Sequence, residues 1–222
     1  MSTGAATPTP KRQLTSTQIQ YVLQLAVFLD LFGVMLVVPN LIHRFRDLGI
    51  STAQYSVVSS VYSASQIVGG LIIGYLGDNV LGRKRVLLLS FAGAGISYLI
   101  VGLADSLWML ILSRVVVGLV KQTMTTSTAL VTQLSDPSTR TAALARLASA
   151  TTLSGLLAQS VGGYLSAQYG RRAPCFLAAA LFAVDLVLVQ ALLPSTPSSA
   201  AAAAAADGAP AAPAKPPAEP AP

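Results

Sequence analysis

The chain has 222 residues, of which 53% are hydrophobic and only 10% are charged. That is too little charge to cover a soluble globule of this size, so the composition favours a membrane protein. The net charge of +6 does not indicate nucleic-acid binding, because the basic residues are scattered between apolar stretches and form no basic face. With one cysteine and one histidine, neither an internal disulfide framework nor a His/Cys metal site is expected.

The order of polar and apolar segments predicts three regions. Residues 1–18 are polar and read as a disordered cytoplasmic leader. Residues 19–193 hold six apolar spans, each long enough at 1.5 Å per residue to cross a hydrocarbon core of ~30 Å. Residues 194–222 are rich in proline and alanine and predict a disordered cytoplasmic tail. We place the spans near residues 19–42, 53–76, 86–104, 107–133, 142–167 and 173–193, which makes the fold class all-α and polytopic.

Basic residues in the connecting segments predict the orientation. Eight lie on the side that holds both chain ends, and four lie on the opposite side. The eight are Lys11, Arg12, Arg83, Lys84, Arg85, Arg140, Arg146 and Lys215, and the four are Arg44, Arg46, Arg171 and Arg172. The positive-inside rule therefore predicts that both termini are cytoplasmic. No targeting motif distinguishes one cellular membrane from another.

Charged residues within the spans mark a candidate site. Asp30 lies in the first span, where an ionisable group is costly and needs a partner or a wet cavity. In the fourth span Arg114, Gly118, Lys121 and Thr125 fall on one helical stripe. From the outer ends of the spans, Asp30 lies ~18 Å deep, Arg114 ~11 Å and Lys121 ~21 Å. Either base could therefore reach Asp30, as part of a proton-exchanging cavity or as a static ion pair.

A second acid, Asp185, lies in the sixth span. Two interpretations remain open for it. It could take part in transport, or it could be a buried acid paired with Lys121, with Arg114 or with a hydroxyl group of the fifth span.

The segment between the second and third spans carries a recognisable motif. Glycines, an acid and three consecutive bases interrupt the apolar pattern there. The motif consists of Gly74, Leu76, Asp78, Gly82, Arg83 and Lys84. It resembles the signature G-x-L-x-D-(R/K)-x-G-R-(R/K) that joins helices 2 and 3 of major facilitator superfamily transporters. Asn79 stands where the family has Arg or Lys, and one extra residue separates Asp78 from Gly82. The resemblance implies a cytoplasmic gating loop that uses Gly74, Asp78, Gly82, Arg83 and Lys84.

Two further motifs point to the same family. Asp30, followed nine residues later by Pro39, resembles the helix 1 pattern of drug:proton antiporters. Arg114 with Gly118 resembles the family's R-x-x-x-G motif in helix 4, whose arginine is associated with proton coupling.

The fifth span resembles the antiporter motif G-x-x-x-G-P-x-x-G-G when it is aligned on Gly162 and Gly163. The family's Gly-Pro pair then falls on Ala158 and Gln159, so the proline that bends the helix is absent. Gly118, Gly162 and Gly163 are expected to serve close helix packing.

Over residues 19–193 the order of these motifs is similar to the N-terminal half of a tetracycline-resistance-like drug:proton antiporter. The pieces LDLFGV, GRKRVLL, SRVVVG and GGYL most resemble the animal major facilitator domain-containing protein 9 group. The resemblance implies one six-helix half, a 3+3 inverted repeat, of a twelve-helix transporter with its substrate site between the halves. It also implies alternating access, in which Asp30, Arg114 and Lys121 couple proton movement to movement of a small organic solute. Two bases would suit an anionic or zwitterionic solute, whereas the resemblance suggests a lipophilic one.

Three functional hypotheses remain open. The chain could be a half-transporter that pairs with a second six-helix half or with its own copy. It could instead be a truncated, non-transporting half that binds or regulates a relative, or a segment whose function belongs to a longer protein. The expected partners are the lipid bilayer, a small organic solute and the proton, with no nucleic acid. No nucleophile–base pair, phosphate-binding loop or metal-ligand cluster is apparent, so we expect no enzyme activity, no catalytic residue, no cofactor and no metal.

Overall fold

The computed structural model of the chain describes residues 15–194. Within this range the secondary structure is helical, which confirms the predicted all-α class for the part described. The helices are α1 (Ser16–Asp47), α2 (Thr52–Leu76), α3 (Arg83–Leu103), α4 (Leu107–Val120), α5 (Thr123–Leu134), α6 (Arg140–Tyr169) and α7 (Ala173–Leu192), with a π-helical turn at Gly77–Leu81. The tail predicted beyond residue 194 and most of the predicted leader lie outside the described range.

Five helical segments of the described chain are long and apolar enough to cross a membrane. They are α1, α2 with the π-helical turn, α3, the α4–α5 pair, and α7. The remaining predicted span, residues 142–167, forms most of α6. This helix has 30 residues, which is long enough to cross a membrane. It is rich in alanine, serine and threonine, however, so its mean hydropathy is lower than that of the five segments. The chain is thus a multi-pass membrane protein.

Capping boxes set the starts of α1 and α2. The hydroxyl of Thr15 accepts from the backbone N–H of Gln18, whose side chain accepts from the backbone of Thr15. Ser51 and Gln54 form the same reciprocal pair at α2. Each pair satisfies two backbone donors that have no partner within the helix. Because of the first pair, α1 begins at Ser16, three residues inside the segment predicted as a disordered leader.

The fourth predicted span is not one continuous helix. The backbone leaves the helical conformation at Lys121 (ψ 92°) and Gln122 (φ −125°), which separates α4 from α5. Ser90 of α3 spans the break, since its hydroxyl donates to the carbonyl of Val120 (2.6 Å) and accepts from the N–H of Gln122 (2.9 Å). These bonds satisfy backbone groups that the break would leave unpaired in an apolar setting. The single stripe predicted from Arg114 to Thr125 is therefore interrupted.

The π-helical turn accommodates the extra residue of the loop motif. The N–H of Gly82 donates to the carbonyl of Gly77 at 3.0 Å, five residues back. A π turn holds one residue more than an α turn, so the insertion between Asp78 and Gly82 is absorbed there. Gly82 then has φ 75°, a conformation that favours glycine. The amide of Asn79 donates to the carbonyl of Tyr75 at 3.0 Å.

The helices pack as a bundle in which α1 contacts α6 and α7, α3 contacts α4 and α7, and α2 contacts α4. At one end, Arg171 pairs with Asp47 and donates to the carbonyl of His43 (2.9 Å), while Arg172 donates to Asp105 (2.7 Å). These contacts bring the α1–α2, α3–α4 and α6–α7 loops together. We call this the clamp end of the bundle.

The opposite end holds the π-helical turn. There the ammonium of Lys84, at the start of α3, donates to the carbonyls of Gln190 (3.0 Å) and Leu193 (2.5 Å). A cation at the C-terminus of α7 also opposes the negative end of its dipole. Lys84 therefore joins the loop between α2 and α3 to the end of α7.

Candidate functional site

A buried ion pair lies at the break between α4 and α5. Asp30 of α1 is 0% exposed and pairs through Oδ1 with the ammonium of Lys121, whose side chain is 12% exposed. The hydroxyl of Thr123 donates to the same oxygen at 3.3 Å. The other oxygen, Oδ2, has no hydrogen-bond partner among residues 15–194. Of the two bases predicted as partners of Asp30, the structure selects Lys121.

Two stacked aromatic rings connect the two predicted bases. The Lys121 ammonium lies 5.0 Å from the ring centre of Phe182 in α7. Phe182 stacks on Tyr98 of α3 with a centroid distance of 5.5 Å and an interplanar angle of 4°. Arg114 lies over the Tyr98 ring, 5.6 Å from its centroid. Such contacts stabilise cations that are partly removed from water. No sequence signal singles out Tyr98 and Phe182, since an aromatic residue in an apolar span is most often a packing residue.

Arg114 is 7% exposed and forms no ion pair in the described part of the chain. Its Nε donates to the hydroxyl of Ser113 at 3.4 Å, and its Nη2 has no hydrogen-bond partner there. The side chain is thus a buried cation that lies over the Tyr98 ring. The predicted alternative of an Asp30–Arg114 pair is not realised.

Asp185 is the second buried acid, and it lies three residues after Phe182 in α7. It is 0% exposed, and neither of its carboxyl oxygens has a hydrogen-bond partner in residues 15–194. Asp30 and Lys121 are the charged groups that act on it through space. The direct pairing with Lys121 or Arg114 that the sequence allowed is not formed in this structure.

Three cavities follow one another along α2. The central cavity, about 320 Å³, is lined by Asp30, Gln66, Lys121 and Thr123 among others. The Arg114 cavity, about 200 Å³, shares Tyr62 and Lys121 with it and extends to Leu41 and Tyr55 near the clamp end. The loop cavity, about 130 Å³, shares Gln122 and Thr125 with the central cavity and reaches Asp78 and Arg83 at the π-helical turn. The ion pair thus lies midway along a row of partly polar cavities.

The residues of the loop motif have separate roles in the structure. Asp78 lies 4.0 Å from the guanidinium of Arg83, and both line the loop cavity. Lys84 is directed to the end of α7, as described above. Gly82 supplies the left-handed conformation, whereas a Cβ at Gly74 would meet nothing within 4 Å. The structure therefore brings Asp78 and Arg83 together and places Lys84 at a different contact.

Two of the three glycines predicted to serve packing lie at close helix contacts. A Cβ at Gly118 would come within 2.6 Å of the Ser65 Cβ and 2.9 Å of the Tyr62 carbonyl in α2. A Cβ at Gly162 would press on the backbone of Leu36 in α1. At Gly163 a Cβ would meet nothing within 4 Å. The close packing expected at Gly163 is therefore not found among the described residues, because this position faces outward from α6.

A multi-pass helical bundle with a buried ion pair at a broken helix, beside a row of cavities, has the architecture of a solute transporter. The chain belongs to the Major Facilitator Superfamily, whose sequence model matches residues 23–219. The tetracycline resistance protein, class D, of Salmonella ordonez is 32% identical over 164 residues, which cover 72% of this chain and 41% of that protein. Solute carrier family 67 member A1 of Homo sapiens is 30% identical over 183 residues, covering 80% and 42%.

Solved structures show the same fold. The human organic anion transporter MFSD10 (TETRAN) has a TM-score of 0.64 and 24% identity, covering 82% of this chain and 49% of that one. A peptide transporter POT has a TM-score of 0.71 and 20% identity, covering 84% and 42%. The chain spans about two fifths of the length of the curated relatives named above. The predicted resemblance to the superfamily and its tetracycline-resistance members is confirmed, and the chain is a transporter-family protein and not an enzyme.

Proposed function

We propose that this chain is a secondary active transporter, or half of one, that exchanges a small organic solute for protons by alternating access. The observation that carries the proposal is the buried Asp30–Lys121 ion pair at the α4–α5 break, on the wall of the central cavity. An ion pair inside the membrane is costly to desolvate and contributes little net stability. Its position beside non-helical backbone at the middle of the cavity row is typical of coupling sites in transporters.

Proton binding at Asp30 would release Lys121 from its counter-ion. The unpartnered Oδ2 of Asp30 is the free acceptor for such a proton, and the residue lines the central cavity. Once the carboxyl is neutral, the ammonium has no ionic partner at Asp30, so the charge distribution of the cavity changes. Solute binding in the cavity and proton binding at Asp30 are thereby coupled, since each changes the binding free energy of the other.

The charge of the cavity row favours an anionic solute. Asp30 neutralises Lys121, but no acid neutralises Arg114 among the described residues. A solute carboxylate or similar anion in the Arg114 cavity would supply that missing charge and bond to the free Nη2. The stacked ring of Tyr98 beside the guanidinium suits a solute that also has an apolar part.

The proposal places this chain in the membrane as a six-helix unit. In this arrangement α4 and α5 together form one span, α6 forms another, and both termini are cytoplasmic, in accord with the excess of basic residues on that side. The unit would complete its site by pairing with a second six-helix half or with its own copy. The loop residues Gly74, Asp78, Gly82, Arg83 and Lys84 would then gate the cytoplasmic side.

The test is solute and proton flux in proteoliposomes that contain the full 222-residue chain. A panel of organic anions and cations should be offered under an imposed proton gradient, and the oligomeric state should be measured in the same detergent. We expect anion flux driven by the gradient, lost in Asp30→Asn and kept in Asp105→Asn, a matched change at the exposed clamp end. Gradient-driven flux that persists in Asp30→Asn would contradict the role given to the ion pair. A folded chain without flux in any oligomeric state would favour a partner-binding, non-transporting half.

A further inference from the structure

Asp185 is a buried acid that has no role in the proton exchange proposed above. Its carboxyl group is fully buried in α7, and neither oxygen has a hydrogen-bond donor in the described part of the chain. An ionised carboxylate in such a position lacks both hydration and a counter-ion, which is very unfavourable. Asp185 must therefore be protonated in the arrangement of this structure. It could be ionised only in another arrangement, in which a cation reaches the carboxylate.

The cation that can reach it is Lys121. Its ammonium lies over the ring of Phe182, and residues three apart on a helix are neighbours on one face, so this ring and Asp185 are adjacent. Lys121 also stands at the non-helical break, with a flexible four-carbon stem. A cation held over an aromatic face can shift along it without returning to water. Lys121 is thus paired with Asp30 while its ammonium lies over the ring that neighbours Asp185.

Other ionisable groups do not compete for this position in the structure. From the helices packed on α7, the charged groups that act on Asp185 are Asp30 of α1 and Lys121 of the break. From α3 the neighbouring ionisable side chains are Tyr98, which stacks on Phe182, and Lys84, whose ammonium is bonded to the carbonyls of Gln190 and Leu193 at the end of α7. In α6, Tyr164 and Tyr169 are exposed, and the two arginines, Arg140 and Arg146, lie in its first two turns.

We infer that Asp30, Lys121 and Asp185 share a single proton, so that Lys121 alternates between the two carboxyl groups. In the arrangement of this structure, Lys121 pairs with Asp30 and the proton is on Asp185. In the second arrangement, Lys121 pairs with Asp185 and the proton is on Asp30. The exchange moves one proton from Asp185 to Asp30 and one ammonium in the opposite direction. Each state contains one cation, one carboxylate and one neutral acid, so the net charge of the triad stays at zero.

The shared proton gives Asp185 a role in the proposed transport function, and this role rests on that function being correct. Because the triad is neutral in both arrangements, the charge of Arg114 remains available to the solute throughout. The exchange would also move a proton between a group on the cavity wall, Asp30, and a group behind it. The existence of the triad, however, can be tested without measuring transport.

The test is infrared spectroscopy of the purified full chain at neutral pH, because a protonated carboxyl group has a C=O stretching band distinct from that of a carboxylate. We expect the wild-type protein to show one such band from a buried acid, with the usual downward shift in heavy water. The band should be absent in Asp185→Asn, which imitates the neutral acid in shape. It should remain in Asp105→Asn, where an exposed acid at the clamp end is changed in the same way.

The decisive variant is Asp30→Asn. If Lys121 moves to Asp185 when Asp30 can no longer hold a charge, Asp185 becomes ionised and the band is lost, although Asp185 itself is intact. In Lys121→Met both acids lose their cation and become neutral, so the band should grow about twofold. A band that survives in Asp30→Asn would show an isolated neutral Asp185 and overturn the shared proton. The absence of a band in the wild-type protein would overturn it as well.

The two proposals can fail separately. If the infrared bands behave as expected but the chain shows no proton-coupled flux, the triad exists and has no role in transport. If the chain shows proton-coupled flux but the band does not respond to Asp30→Asn, the transport proposal stands and the shared proton is wrong. Circular dichroism and thermal unfolding should accompany each variant, and if Asp185→Asn does not fold, Asp30→Asn and Lys121→Met still decide the question because neither alters Asp185.

Discussion

At the scale of single residues, Gly118 determines how closely α4 can approach α2. Its missing side chain leaves room for Ser65 and for the backbone of Tyr62, which an added Cβ would meet at 2.6 and 2.9 Å. Backbone cannot move aside as a flexible side chain can, so the two helices must separate if a methyl group is added. The α2–α4 contact also forms one wall of the Arg114 cavity, so its spacing bears on function.

We predict that Gly118→Ala destabilises the chain by about 1–3 kcal/mol through overpacking. Gly163→Ala is the matched control, because the same methyl group meets nothing within 4 Å there and the gain in helix propensity of about 0.5–1 kcal/mol is retained. Thermal unfolding in one detergent, followed by circular dichroism, measures both. Equal stability of the two variants would show that the close α2–α4 contact does not constrain the bundle.

Residue-level reasoning from the sequence named Asp30, Arg114 and Lys121, which the structure places along the cavity row, but not which of them pair. Depth along straight helices allowed Asp30 to reach either Arg114 or Lys121, whereas in the structure it pairs with Lys121, at the break. In the structure Lys121 lies over the Phe182 ring and Arg114 lies over the Tyr98 ring of this stacked pair. That arrangement depends on how α3 and α7 pack, which composition and spacing within one span do not encode.

At the scale of elements, the break between α4 and α5 shows the limit of local signals. Pro39 is a helix-breaking residue, yet α1 continues through it from Ser16 to Asp47. The break in the fourth span falls instead at Lys121 and Gln122, where neither glycine nor proline is present. Its support comes from Ser90 in another helix, so a tertiary contact positions the break where local propensity does not. The π-helical turn differs, because its extra residue was visible in the sequence as a departure from the motif spacing.

Ser90→Ala should therefore act on the break and on the stability of the whole chain. The change removes the acceptor of the Gln122 N–H and the donor to the Val120 carbonyl, leaving two backbone groups without these partners. We expect a loss of about 1–3 kcal/mol in the free energy of unfolding, the usual penalty for an unsatisfied buried polar group.

The control for this prediction is Ser60→Ala. The Ser60 hydroxyl bonds to a carbonyl of its own helix and is exposed, so its removal should change stability by less than about 0.5 kcal/mol. If Ser90→Ala were as stable as this control, the broken helix would not depend on the bond from α3.

At the scale of the whole molecule, the row of cavities divides the surface of α2 into two environments. Ser63 lines the Arg114 cavity, whereas Leu71 is an apolar side chain that is 74% exposed and faces away from the cavities described here. The clamp end and the contact of Lys84 with α7 hold the loops of the bundle together at its two ends. We expect the cavity row to be wet and Leu71 to face lipid, as a solute pathway along α2 would require.

This division can be measured with cysteine labelling, because Cys175 is the one cysteine of the chain and is buried. In a Cys175→Ala background, Ser63→Cys should react with a charged, water-soluble thiol reagent, since the attacking thiolate forms where water is present. Leu71→Cys should react much more slowly, because a thiol in contact with lipid stays protonated and the charged reagent is excluded. Equal rates at both positions would contradict the distinction between a wet row and a lipid face. Fast labelling at Ser63 that slows when an organic anion is added would place the solute in the Arg114 cavity, where the uncompensated guanidinium provides the charge to bind it.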